Sequence, residues 1–193
     1  MSYVAELKNE KRGKSVITWS AIYLATSWLG IVSLLLNPNS DALKISDLLV
    51  IPLFVAMPTA FILTWRWLRS LIISAKLIDP SAIGYRKGWA FWGWVTPIAS
   101  WWIPRRLLDR SHGLFTTYSG VENTLRLGVW WGLFVAAGII DYLSLRASLA
   151  GNADGVVVYL DIVSAILLTI AFPKWKRVVQ TVSDSQRKAI SKF

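Results

Sequence analysis

The sequence predicts an all-α, multi-pass membrane fold: four transmembrane helices and one Pro-kinked, Trp-rich helical element that re-enters or lies at the membrane interface. Three observations predict it. Twenty-six residues without a charge separate Lys14 from Asp41, where a helix needs roughly 20 to cross a hydrocarbon core. The 21 Lys and Arg stand beside the apolar runs rather than along one face, as membrane-flanking charges do. Five of the twelve Trp fall in one stretch, Gly88 to Arg106, which carries no charge before Arg105.

Composition narrows the chemistry. A hydrophobic fraction of 54% and a mean hydropathy of +0.47 suit a small polytopic protein better than a soluble domain. There is no Cys, so disulfides, thiolate metal sites and Cys nucleophiles are excluded. A single His, His112, leaves no His-based metal cluster or haem ligation, and no cofactor is expected. The net charge of +10 raises nucleic acid as a partner, but basic residues placed beside apolar runs point to membrane instead. Asp109, Ser111 and Glu122 form no catalytic arrangement, and no phosphate-cradling Gly loop is present.

In chain order, residues 1–14 form a basic lead-in with Lys8, Lys11, Arg12 and Lys14. The first span, 15–36, lacks a small-residue cleavage site and is expected to be retained. Asn37-Pro38-Asn39-Ser40-Asp41 breaks the helix, and Lys44 is the loop's one basic residue. Span 48–65 contains Pro52 in its first turn and Pro58 inside, where a kink is expected. Trp65-Arg66-Trp67 reads as its interfacial border, with helix continuing toward Asp79-Pro80. Residues 107–126 read as a polar connection, with His112 a loop residue.

Spans 127–145 and 156–172 follow, separated by a short Gly/Asn/Asp turn. Residues 174–193 place Trp175, Val178, Val179, Val182, Gln186, Ala189, Ile190 and Phe193 at helical spacing. That is an amphipathic helix for the membrane surface or for the cytoplasmic ends of the spans. No internal repeat interrupts what reads as a single membrane domain, 1–193.

Whether 88–103 crosses decides the topology. Sixteen uncharged residues make about 24 Å of helix, short of a core of about 30 Å. Pro97 breaks the middle and Pro104 the end. If the stretch does not cross, both termini and every basic residue except Lys44 and Arg146 are cytoplasmic, as the positive-inside tendency favours. Five spans is the alternative.

Two groups carry candidate function. Arg86, Lys87, Trp89, Trp92, Trp94, Trp101, Trp102, Arg105 and Arg106 form a lipid- or partner-binding set. Indole faces take flat apolar groups and the basic flanks take anionic headgroups. The plainer reading is an interfacial belt whose arginines only set topology. Asp141 and Asp161 lie about ten residues either side of the turn near Ala150-Gly151. An intramembrane carboxylate is costly enough to suggest a proton or cation site. The two could also pair with Arg146; the plainer reading is that both lie near the outer headgroups, hydrated or hydrogen-bonded to Ser144, Ser164 and Tyr142.

Gly88-Trp89-Ala90, then Gly93-Trp94-Val95-Thr96-Pro97-Ile98-Ala99-Ser100-Trp101-Trp102-Ile103-Pro104, resembles the signature of a bacterial, largely actinobacterial membrane family, domain of unknown function 4328. That family has two spans before the motif and two after it, with a basic end. Its usual Asn is Ser100 here, and its usual aromatic after the last Pro is Arg105. The resemblance implies the architecture and a bacterial inner membrane, and no activity. The function expected is a non-enzymatic accessory or scaffold subunit that binds lipids or partner membrane proteins, within a larger complex. A small transporter or proton/cation conductor using Asp141 and Asp161 is the alternative, and a lipid-acting enzyme a distant third.

Overall fold

A computed structural model describes residues 2–36, 45–81, 83–96, 98–120, 125–151 and 154–192. It contains α1 (Ser2–Leu36), α2 (Ile45–Ile78), α3 (Trp89–Val95), α4 (Ile103–Ser119), α5 (Leu127–Leu149) and α6 (Asp154–Ile190), with a 3-10 turn at Ala99–Trp101. No strand occurs among the described residues. Four stretches are long and apolar enough to cross a membrane: Lys11–Leu36, Ile51–Ile78, Leu127–Leu149 and Gly155–Ile190. By length and composition this is a multi-pass membrane fold with four spans, and the seven residues of α3 make no fifth. Residues 37–44, where the sequence leads one to expect a turn with Lys44, lie outside the described residues, as do Pro97, Glu122 and Phe193.

The chain divides into two compact units. The first gathers Met1–Ile17, Phe61–Leu127 and Lys176–Phe193, and the second Thr18–Ala60 and Gly128–Trp175.

The second unit wears its apolar side chains outward. Leu36, Phe54, Met57, Leu149 and Tyr159 are among its exposed residues. Most of its buried side chains are small, Ala56, Ala137, Ser144, Ser164, Ala165 and Ala171, and beside them lie Ile31 and the indoles of Trp130, Trp131 and Trp175. That inversion suits a lipid solvent, which gives no drive to hide Leu or Phe but rewards close backbone approach at small residues. Indole N–H groups tie the unit together. Trp28 Nε1 donates to Thr169 Oγ1 at 2.9 Å, and Trp175 Nε1 to Ser20 Oγ at 3.2 Å. Trp130 stacks on Trp175 with centroids 4.7 Å apart.

The first unit has a conventional core. Trp67, Leu68, Leu71, Ile72, Leu107, Leu108, Phe115, Val178 and Val182 are buried in it. Trp67 therefore differs from the interfacial anchor its sequence context suggested. It is wholly buried, and its Nε1 donates to Ser183 Oγ of α6 at 3.0 Å. A Cβ on Gly13 would stand 3.0 Å from that same Oγ and 3.4 Å from Val179 Cγ1, so α1 and α6 meet backbone to side chain. Gln186 Nε2 donates to Ser74 Oγ of α2 at 2.7 Å.

The amphipathic tail face is thus spent on α1 and α2. α6 also passes through Pro173 as one helix, where the sequence divided span from tail. The proline forgoes one backbone bond, and packing of the residues that follow it outweighs that loss.

Residues 107–126 correct the sequence reading most. α4 occupies Ile103–Ser119, an amphipathic helix burying Ile103, Leu107, Leu108, Ser111, His112, Phe115 and Thr116. His112 is 2% exposed, a core residue rather than a loop residue. Polar side chains at buried positions had hidden the helical period.

Candidate functional site

The Trp-rich stretch folds as a helical hairpin within the first unit. α3 is about 10 Å long at 1.5 Å per residue. It stops at Thr96, which is extended (φ −76°, ψ 116°), as the residue before a proline tends to be. Ser100 N–H then donates to the Thr96 carbonyl at 2.9 Å, and the 3-10 turn leads into α4 with Pro104 in its first turn. Gly93 permits the return: a Cβ there would lie 2.8 Å from Ile103 Cγ2, closer than carbon atoms tolerate. Phe91 docks the hairpin on α2, edge-on to Phe61 at 5.9 Å and to Trp65 at 5.5 Å.

This packing sorts the stretch into two faces. Ala90, Gly93, Ala99 and Ile103 are buried. Trp92, Val95, Ile98, Trp101 and Trp102 are exposed, Ile98 by 69% and Trp101 by 59%. Trp89 and Trp94 are half-buried, Trp89 lying edge-on to Tyr85 at 6.3 Å. Arg86, Lys87, Arg105 and Arg106 are all exposed. The outer face therefore combines large apolar side chains with nearby cations, the composition of an interfacial element.

Arg110, which sequence reasoning passed over, holds the approach to the hairpin. Its Nη1 donates to the Ile83 carbonyl at 2.8 Å, and its guanidinium lies 5.2 Å from the centre of the Tyr85 ring. Nothing in the local pattern distinguished this arginine from the exposed ones.

In the second unit, the two carboxylates are brought into one polar cluster. Ser144 Oγ donates to Asp161 Oδ1 at 2.5 Å, and Ser164 Oγ donates to the Ala137 carbonyl at 3.4 Å. Each carboxylate is within electrostatic reach of the other, and both are within reach of Tyr23 on α1. Asp141 is exposed at the residue level and Asp161 half-buried, while both serines are buried. Arg146 is exposed and, among the described residues, pairs with neither. Tyr23 was missed because a Tyr within a long apolar run reads as an interfacial aromatic. Among the described residues no group of three His, Cys, Asp or Glu could hold a metal.

Comparison with known families matches residues 37–181, most of the chain and all of the hairpin, to the family described as domain of unknown function 4328. No curated protein and no solved structure matches the chain.

Proposed function

The chain belongs to the family described as domain of unknown function 4328, and from that premise we propose that it is a non-enzymatic accessory or scaffold subunit of a bacterial cytoplasmic membrane. Its work on this reading is to bind anionic lipids and partner membrane proteins through the Trp-rich hairpin. The observation that carries the proposal is the outer face of that hairpin. Trp92, Val95, Ile98, Trp101 and Trp102 are exposed beside exposed Arg86, Lys87, Arg105 and Arg106. Aromatic side chains settle at the headgroup level, and each nearby cation gains about 1 kcal/mol from anionic lipid.

Charge supports the orientation. All but Lys44, Arg146 and Lys174 of the 21 Lys and Arg fall in the first unit. The positive-inside tendency then favours a cytoplasmic first unit and cytoplasmic termini.

The test is purification in mild detergent followed by native mass spectrometry. Copurifying anionic lipid or a partner protein is expected, and Trp101→Ala/Trp102→Ala should reduce both. A lone monomer with neither would sink the proposal.

A second reading rests on the Asp141–Asp161 cluster. Two carboxylates with Tyr23, Ser144 and Ser164 inside a spanning unit suit a proton- or cation-holding site. Asp141→Asn/Asp161→Asn should abolish proton or cation flux in proteoliposomes on that reading. On the accessory reading it should leave lipid and partner retention unchanged.

A further inference from the structure

The Trp-rich hairpin is divided along its length as well as into two faces. Its arms are held together at two levels. At one, a Cβ on Gly93 would stand 2.8 Å from Ile103 Cγ2 and 3.8 Å from Pro104 Cδ. At the other, Arg110 Nη1 donates to the Ile83 carbonyl at 2.8 Å, and its guanidinium lies over the Tyr85 ring. Ile103 and Arg110 are about two turns apart on α4, roughly 10 Å at 1.5 Å per residue.

Four further cations fall between those levels. Arg86 and Lys87 follow Tyr85 on one arm, Arg105 and Arg106 follow Pro104 on the other, and all four are exposed. Beyond the Gly93–Ile103 contact, residues 94–102 carry no charge. Val95, Ile98, Trp101 and Trp102 are exposed in that part. The hairpin therefore has an apolar tip and, behind it, a collar of cations. Large apolar side chains clustered in this way mark a surface that is covered by something other than water.

Two observations favour lipid as the cover. Phe91 packs edge-on to Phe61 and Trp65, and both belong to Ile51–Ile78, a stretch long and apolar enough to cross a membrane. The hairpin is thus fixed to a candidate spanning helix. The collar supplies the second observation, since no acidic residue stands between Asp79 and Asp109 in the sequence. Its charge complements a layer of anionic headgroups and would repel the same collar on a second copy.

We infer that the hairpin enters one leaflet tip first: residues 94–102 reach the acyl chains, and Arg86, Lys87, Arg105 and Arg106 stand at the level of the phosphates of anionic phospholipid. Long basic side chains keep their heads at that level while their stems lie along apolar surface. Interfacial elements bury about 5–10 Å deep. That is less than half of a hydrocarbon core of about 30 Å, so the tip stays in the leaflet it enters. The choice of anionic lipid rests on the lipid-binding reading above, whereas the depth of the tip is judged separately.

The chain contains no Cys, so a nitroxide on one introduced cysteine reports a single position. Ile98→Cys places it at the exposed tip, and Thr117→Cys on an exposed part of α4 far from the tip. The full chain is held in nanodiscs of phosphatidylglycerol and phosphatidylcholine. Collisions with oxygen, which partitions into acyl chains, are compared with collisions with a water-soluble nickel chelate. The label at position 98 should favour oxygen, about 5–10 Å below the phosphates, and the label at position 117 the chelate. A second arm reads phosphatidylglycerol retention by native mass spectrometry. It compares the parent with Arg105→Gln/Arg106→Gln and with a charge-matched control on α6, Arg187→Gln/Lys188→Gln, also exposed. At about 1 kcal/mol per cation, losing the two collar arginines should lower retention on the order of thirtyfold, with the control changed far less.

A label at position 98 that favours the chelate overturns the inference. So does one shielded from both reagents, which would mean that a second copy or a partner protein covers the tip. A label at the bilayer centre overturns it too, because the stretch would then cross. An equal fall in the control also overturns it, since retention would follow net charge rather than the collar. Failure at the tip with phosphatidylglycerol still retained would leave the lipid-binding reading standing. No lipid or partner retained by the parent would sink that reading, and the depth arm would still judge the insertion.

Discussion

The two units of this chain solve opposite packing problems with overlapping residue types. In the first, Trp67 and Phe115 are wholly buried, and the cations Arg66, Arg69, Arg105 and Arg106 are outside. In the second, Leu36 and Phe54 are each 74% exposed, and the buried positions include Ser144 and Ser164. The first is packed as water would pack it, with apolar area driven inward at about 25 cal/mol per Å². The second is ordered as lipid would order it, by small side chains and polar groups turned to one another. A residue's type therefore predicts its place only once its solvent is known. The tryptophans make the point: Trp67 is core, Trp101 is surface, and Trp28 is a hydrogen-bonding tie.

The largest effect that tests this contrast is expected at Trp67. Trp67→Ala removes a fully buried indole and its bond to Ser183, and large-to-small changes of this kind cost about 3–5 kcal/mol. Leu29→Ala, at a position 54% exposed in the second unit, should change stability by less than about 0.5 kcal/mol. Denaturant titration of both variants in detergent measures the difference. Equal losses would break the contrast, because they would mean that both positions are buried from the same solvent.

Four spans were legible because a charge-free run of that length has few other homes. The hairpin was legible because its uncharged stretch is too short to cross and is flanked by Arg86, Lys87, Arg105 and Arg106. α4 was not, although Ile103, Leu107, Leu108 and Phe115 do carry a helical period. Ser111, His112 and Thr116 interleave with them on the buried side, and polar residues there read as loop. That Asp141 and Asp161 come near each other was legible from the turn between their helices, whereas Tyr23 joins them from a helix more than a hundred residues away. Local pattern reports solvent and period, and it is silent on which helices meet.

A middle-sized effect is expected at Gly93. The added methyl of Gly93→Ala would stand 2.8 Å from Ile103 Cγ2 and must push α3 from the start of α4. Overpacking of this order costs about 1–3 kcal/mol. Because the hairpin sets the exposure of Trp101 and Trp102, lipid retention by native mass spectrometry should fall together with stability. If stability falls while retention holds, the outer face does not depend on the hairpin's closure, and the lipid reading loses its structural support.

The smallest effect belongs to Trp28 in the second unit. Trp28→Phe keeps a smaller aromatic ring at this half-buried position and deletes the Nε1 donor to Thr169 Oγ1. Thr169 Oγ1 also donates to the Ala165 carbonyl at 2.7 Å, so its hydroxyl keeps a partner after the change. Interhelical hydrogen bonds in membrane proteins average about 0.6 kcal/mol, because the polar groups find other partners when the helices separate. The expected loss is therefore roughly that, about a fifth or less of the Trp67→Ala cost, read in the same denaturant titration. A loss of several kcal/mol would show that the Trp28–Thr169 bond has no substitute within the unit. That outcome would place its polar groups under the same strict accounting as those buried in the first unit, and the two units would then differ in what faces outward but not in how their interiors are held.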